Sequence, residues 1–506
     1  MPLVSLIRPP CAVGRLALTL NVTPPLSVAC LAGSLTSAGF EVEIIDAIGE
    51  GVQVMHPGYH ENVLVNGLAT NSIVERIDPN TSLVAISCMF STDWPIVRDI
   101  IAAIDRKFPG MPILCGGEHP TAAPDQSLRS APALLACALG EGEETIVDAA
   151  RAITSGKSLV NVAGLVVRTR AGFVRTGARA RIRDVDAIPL PRWDLTPIET
   201  YLVGGHSFGV DRGRTIPIVA TRGCPYQCTF CSSPKMWTTR YVTRTPSRVV
   251  DEIESYVREF GVENIDFYDL TAIIKKDWIV AFCEELLRRR INITWQLPSG
   301  TRSEAIDGDV ARLLYKSGCR NVSYAPESGS KHTLKAIKKK VNLDRMEASM
   351  RSSVVEGLNV KANILVGFPE ETHAEIVESL RFVAQMAVAG VHDVSIWTFS
   401  PYPGSELFDS LVAQGKIGEM DDEYFAALLS YSDLAGAVSW SSNVSSDALR
   451  VYRLLGMTLF YALSFGMRPW RAVQLAKNAV TGSYESRLEM SLANLGRKSS
   501  LTWGWS

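Results

Sequence analysis

From Val4 to about Ile153 short apolar runs alternate with amphipathic stretches. Val4–Arg8 and Glu41–Asp46 read as strands. Between them Val28, Leu31, Ala32 and Leu35 fall at the i, i+3, i+4, i+7 spacing of one helix face. Leu83–Cys88 and Ile113–Cys115 repeat the short apolar signal, with a helical stretch from Pro95 to Lys107 between them. Ala133–Leu139 then leads into the run Gly-Glu-Gly-Glu-Glu-Thr, whose acidic residues suit the first turn of another helix. Strands alternating with helices predict a parallel, doubly wound, Rossmann-like α/β domain over residues 1–158.

The rhythm breaks over residues 159–212. Leu165–Arg168 and Phe173–Thr176 flank an Arg-Ala-Gly turn and predict a hairpin, and the Pro-rich stretch Ile188–Trp193 reads as an extended linker. A second series opens with strands at Ile216–Ala220, Asn264–Tyr268, Ile293–Leu297, Asn321–Ala325, Val360–Val366 and Val394–Phe399. Helical stretches such as Arg248–Glu259 and Trp278–Arg289 fill the gaps. Six such units predict a partial (β/α)6 barrel over 213–420, short of the eight of a closed one. Residues 421–506 read as largely helical.

Composition bounds the function. A chain of 506 residues, 46% hydrophobic and 21% charged, is a globular protein of two or three domains. Its net charge of −2 offers no general attraction for nucleic acid. The first residues carry no basic region followed by an apolar stretch, so a cytoplasmic location is expected. The apolar run Leu454–Met467 is shorter than the roughly 20 residues that span a bilayer. It reads as a buried helix or, alternatively, as an interfacial helix giving peripheral membrane contact.

Ten cysteines are too sparse for a disulfide framework, but three crowd together just after the first strand of the second series, in Arg222-Gly-Cys224-Pro-Tyr-Gln-Cys228-Thr-Phe-Cys231. Three thiolates can bind three irons of a cubane and leave the fourth open for a substrate or cofactor. A zinc site would want a fourth ligand close by, and the next cysteine is Cys283. Cys283 and Cys319 fall within or just after barrel helices and read as buried small hydrophobes.

This C-x3-C-x2-C pattern, with Phe230 before its last cysteine, resembles the signature of the radical S-adenosylmethionine superfamily. The resemblance implies a 4Fe-4S cluster on Cys224, Cys228 and Cys231 that binds S-adenosylmethionine and yields a 5′-deoxyadenosyl radical. It also implies an electron donor such as flavodoxin or ferredoxin. Asp269 ends the second barrel strand where this family often has an acid near the cofactor's amino group. Pro326–Ser330, with Glu327 and Ser328, is similar to the family's ESGS element. Gly367–Thr372 resembles its G-x-P-x-E-T element, and Ser400–Phe408 the segment after the sixth strand. By the same strand order Trp295 and Arg302 lie at the mouth, Arg302 reading either as a carboxylate-binding group or as a surface ion pair.

The first 150 residues resemble cobalamin-binding domains, whose pattern is D-x-H-x-x-G, S-x-L and a Gly pair. Here stand Asp46-Ala-Ile48-Gly-Glu-Gly51, Ser87-Cys-Met89 and Gly116-Gly117. Ile48 replaces the histidine, implying a base-off cobalamin without a protein ligand on cobalt. His119 reads as a core or helix-start histidine. Glu118, Gly140 and Glu141 complete the residues expected against this cofactor. The chain as a whole is similar to the cobalamin-dependent radical enzymes, in the branch of the anaerobic magnesium-protoporphyrin ester cyclase and several carbon methylases. That likeness implies methyl transfer from methylcobalamin to an unactivated carbon of a small-molecule or lipid-like substrate. The alternatives are oxidative cyclisation or rearrangement with the same cofactors, or a cobalamin sensor with a vestigial barrel. Phe460, Tyr461, Phe465 and Trp470 hint at an apolar substrate or are simply core.

Overall fold

In the computed structural model, residues 1–506 are described except 16, 18–21, 272, 302–304, 432–435, 499–501 and 504–506; for 493–498 and 502–503 the backbone alone is described. Arg302 therefore lies outside the described residues.

The N-terminal strands are β1 (Leu3–Arg8), β2 (Glu41–Asp46), β3 (Thr81–Ser87), β4 (Ile113–Gly116) and β5 (Ala136–Ala138), followed by the hairpin β6 (Leu165–Thr169) and β7 (Gly172–Arg175). They form one sheet in the order β7-β6-β5-β4-β3-β1-β2. β1 pairs in parallel with both β2 and β3, so the strand order reverses at β1, the place where doubly wound sheets bind ligands at their carboxyl ends. Helices α1 (Leu26–Ser37), α2 (Trp94–Lys107) and α3 (Glu143–Thr154) flank this sheet. The hairpin assigned to the linker by sequence instead extends the sheet, β6 pairing antiparallel to β5. A second, small sheet of Cys11–Gly14, Val54–Pro57, Val63–Asn66 and Thr502–Trp503 carries no sequence signal of its own, its strands being only two to four residues long.

Helix α4 (Ile198–Gly204) then leads into six parallel strands in sequential order: β8 (Thr215–Ile218), β9 (Asn264–Phe267), β10 (Thr294–Thr301), β11 (Cys319–Glu327), β12 (Asn359–Val366) and β13 (Asp393–Thr398). The expected six-unit partial barrel is what forms, with β10 and β11 longer than predicted; Cys319 comes just after the helix that ends at Lys316 and opens β11. Cys283 and Cys319 are fully buried, as their reading as small hydrophobes requires. The helices around it are α5 (Pro246–Phe260), α6 (Lys276–Arg289), α7 (Gly308–Lys316), α8 (Leu343–Val355) and α9 (His373–Ala389). Their ends follow local chemistry: α5 starts on Pro246 and stops at left-handed Gly261, and Thr372 and Glu375 form a capping box on α9.

The C-terminal region holds α10 (Ser446–Met467), α11 (Trp470–Thr481) and α12 (Arg487–Lys498). Leu449, Arg453, Gly456, Phe460 and Ser464 form the buried face of α10, against α9 and β13. Phe460 and Tyr461 pack against the barrel's core, so they are core residues and not the wall of an apolar substrate site. No helix among the described residues is long and apolar enough to cross a membrane.

Candidate functional site

The cysteine loop leaves the barrel directly after Thr221–Arg222, a two-residue strand paired with Val242–Thr243. Gly223 has φ +85, and a Cβ there would strike the Arg240 carbonyl, so glycine is required for the chain to turn into the loop. Cys224, Cys228 and Cys231 form no disulfide and are half-buried. Burial pushes the Cys231 thiol up to about 12, with Glu118, Cys228 and Cys224 adding to the rise. Among the described residues no three His, Cys, Asp or Glu side chains converge as ligands of one ion. The Phe230 ring lies 5.8 Å from Phe368, which lies 5.4 Å from Phe399, tying the loop to the ends of β12 and β13.

Around the mouth, Asp269 is buried and accepts from the Ala220 and Thr221 backbone N–H groups and the Thr221 hydroxyl. Its carboxylate clamps the strand that launches the cysteine loop, and burial pushes its pKa up to about 6. Glu327 holds a left-handed backbone (φ 67), rare for a side chain of its size, and accepts from Lys339 Nζ at 2.8 Å. Ser328 is fully buried, its hydroxyl 3.0 Å from that of Ser379. Gly367 (φ +87) donates its N–H to Glu371 at 2.6 Å. Burial pushes Glu371 up to about 7. Among the described residues its other oxygen and the buried hydroxyls of Thr229, Ser233 and Ser330 find no hydrogen-bond partner. Buried polar atoms are costly when unpaired, so this set fits a polar ligand held between the cysteine loop, the ESGS turn and the GFPEET turn.

The N-terminal sheet presents its carboxyl ends to the same region. Ile48, Ser87, Met89, Gly116, Gly117, Glu118, Gly140 and Glu141 all line one cavity of about 920 Å³, together with Glu327 and residues of the barrel interior. Gly51 does not line it; a Cβ there would lie 2.6 Å from the Leu68 nitrogen, so its role is tight backbone packing. Small residues where β3, β4 and β5 end leave the room that a bulky cofactor needs. His119 is a core histidine, stacked on Trp94 at 4.9 Å, and burial holds its pKa down at about 3. From α4, Tyr201 donates to Asp46 at 2.5 Å, and Arg8 donates to Tyr201 at 3.0 Å. Arg222, beside the cysteine loop, donates to Glu143 at 2.5 Å and Glu141 at 3.3 Å, and Arg181 donates to Glu141 at 2.8 Å. Glu118 accepts from the Ser232 hydroxyl next to Cys231. The two halves are thus joined at the site itself.

Residues 14–150 match the B12 binding domain and residues 218–383 the Radical SAM superfamily. The chain thus carries a B12 binding domain followed by a Radical SAM domain. It is 27% identical over 399 residues to an uncharacterized methyltransferase of Pyrococcus horikoshii, covering 79% of this chain and 80% of that one. To the anaerobic magnesium-protoporphyrin IX monomethyl ester cyclase of Rubrivivax gelatinosus it is 28% identical over 395 residues, 77% and 66% of the two chains. Its fold matches that of the radical S-adenosylmethionine methyltransferase TsrM from Kitasatospora setae, solved with cobalamin and a [4Fe-4S] cluster, at a TM-score of 0.62, 19% identity and coverage of 82% and 75%.

Sequence reasoning missed the interior of the radical enzyme's barrel. β12 alternates half-buried and buried positions along its whole length, with Asn359, Lys361 and Asn363 turned to the cavity and Val360, Ala362 and Ile364 to the helices. Gln296, Asn321, Ser323 and Asp393 line the cavity from neighbouring strands. Parallel strands covered on both faces normally read as continuous apolar runs, so the polar alternation in Asn-Val-Lys-Ala-Asn was the available signal. Below, residues 209–212 close the interior: Gly209 N–H donates to Asp266 at 2.7 Å, Val210 exchanges two hydrogen bonds with Gln296, and Arg212 donates to Asn321 at 2.7 Å. Arg487 completes this floor, its N–H donating to Asp393 at 2.7 Å and its guanidinium to the Gly209 carbonyl at 2.9 Å.

Proposed function

We propose that the protein is a C-methyltransferase that methylates a carbon of a small molecule held in the cavity between its two cofactor-binding halves. The observation carrying this reading is that single cavity of about 920 Å³, lined by the carboxyl ends of the N-terminal sheet and by the barrel interior together. A carbon bound there is within reach of both halves without any part of the protein having to move. When bound, the cofactors supply a 5′-deoxyadenosyl radical and a transferable methyl group.

The chain's own residues do the rest. Cys224, Cys228 and Cys231 hold the cluster, and Phe230 packs the loop against Phe368. Glu327, Ser328 and Gly367 shape the seat for S-adenosylmethionine, while Asp269 positions the strand before the loop. Ser87, Gly116, Gly117 and Gly140 leave space for cobalamin, and Ile48 offers its cobalt no ligand. A flavodoxin or ferredoxin supplies the electron. The division of the chain into 1–158, 159–212, 213–420 and 421–506 is retained, with the 165–175 hairpin moved into the first unit. Likeness to the ester cyclase favours a second reading, oxidative cyclisation without methyl transfer.

Anaerobic reconstitution with iron, sulfide and hydroxocobalamin, then metal analysis, tests the proposal. About four irons and one cobalt per chain are expected, and replacing all three cysteines by Ala should remove the iron and leave the cobalt. Iron without cobalt sinks methyl transfer. During turnover, methylation releases S-adenosylhomocysteine as well as 5′-deoxyadenosine, whereas cyclisation releases the second alone.

A further inference from the structure

Lys361 stands inside the barrel, the third residue of β12 and five residues short of the mouth at Val366. At the rise of an extended strand that is about 16 Å below the mouth, well beneath the cysteine loop. Its side chain is half-buried and opens only to the cavity. Among the described residues no oxygen accepts from its Nζ and no carboxylate lies within ion-pair distance; its one contact is with the Trp397 ring, 6.0 Å away. The carboxylates nearby are already engaged. Asp393 accepts from Arg487 N–H at 2.7 Å and Tyr461 at 3.3 Å, and Asp266 accepts from Gly209 N–H at 2.7 Å and Asn264 at 3.2 Å. Two residues further along the same face of β12, Asn363 Oδ1 is also buried without a partner. Arg487 adds a second cation at the floor.

An ammonium shut inside a barrel with no acceptor of its own is costly once water is displaced from the cavity, and a ligand with an anionic group completes it. We infer that Lys361 determines substrate specificity by holding an anionic group, a carboxylate or a phosphate, of a small molecule that enters the barrel, with Asn363 beside it. This rests on the reading that the cavity receives the substrate. It replaces the expected lipid-like substrate by an acidic one, since an apolar chain would leave Lys361 and Asn363 unpaired. Burial, with Arg487 adding to it, holds the Lys361 pKa down at about 8, against the opposing pull of Asp393; an anion there would raise it again.

Thermal melting of the full chain, loaded with cluster and cobalamin, tests this without turnover. The probes are inorganic phosphate, succinate and uncharged succinamide at constant ionic strength. Wild type should gain about 2 °C or more with phosphate or succinate and nothing with succinamide. The responding anion tells phosphate from carboxylate. Lys361→Arg should keep the gain. Lys361→Met should lose it while melting, without probe, at or above wild type, because it removes an unpaired buried charge. The inference is overturned if neither anion stabilises wild type, if the gain survives in Lys361→Met, or if that variant melts well below wild type. It is also overturned if the gain appears only before cobalamin is added, since the anion site then belongs to that cofactor's own phosphate. Failure of methyl transfer leaves these melts unchanged, so the two readings fail separately.

Discussion

Lys361 makes the protein's stability depend on pH in a direction opposite to that of a paired lysine. In the folded chain burial holds its pKa at about 8, against an ordinary 10.5. Between those values the unfolded chain binds more protons, so this group lets stability rise with pH. Arg487 from α12 and Asp393 from β13 are the charged groups that act on it, the first lowering its pKa and the second raising it. The stability advantage of Lys361→Met over wild type should therefore shrink as pH climbs from 8 to 10.5, read from denaturant midpoints; a constant gap would mean the ammonium is already paired. Single residues differed greatly in how legible they were. The three cysteines announce themselves because their spacing is local. Lys361 looks like an ordinary charged residue until its strand is placed with a cavity on one side.

At the scale of elements, the sequence pattern located every strand of both large sheets, because each is a short apolar run between turn signals. It misjudged their lengths where polar residues such as Ser299 and Glu327 continue a strand at the site. The hairpin was legible as a hairpin, but not the sheet it joins, since the antiparallel pairing of β6 with β5 links segments that no local pattern connects. The Pro-rich linker shows why α1 carries a glycine. At an open helix position Gly→Ala gains up to about 1 kcal/mol. At Gly33 a Cβ would strike the Leu190 carbonyl, which is backbone and cannot step aside. Gly33→Ala should therefore cost about 1–3 kcal/mol as an overpacking defect, measured as a lower denaturant midpoint, and a stabilised variant would show that the linker does not rest there.

On the scale of the whole molecule, the site belongs to neither half alone. Arg222 and Glu143 are 79 residues apart and meet beside the cysteine loop, and no sequence pattern couples positions so distant. Both side chains are nearly buried, 12% and 11% exposed. Glu143→Ala leaves Arg222 with only Glu141 and should cost about 3 kcal/mol, with faster hydrogen exchange appearing in 222–231 and 140–146 together. Exchange changing in one segment alone would mean the halves are held by other contacts. The floor of the barrel has a further consequence, for the order of events at the ribosome. Gly209 waits for Arg487 across 278 residues of chain. At about 5–20 residues per second that is roughly a quarter of a minute to a minute of synthesis. Through that interval the six strands can assemble, yet the polar interior stays open to water from beneath. The polar chamber of the barrel is therefore among the last compartments of the molecule to be sealed, long after the cysteine loop has emerged.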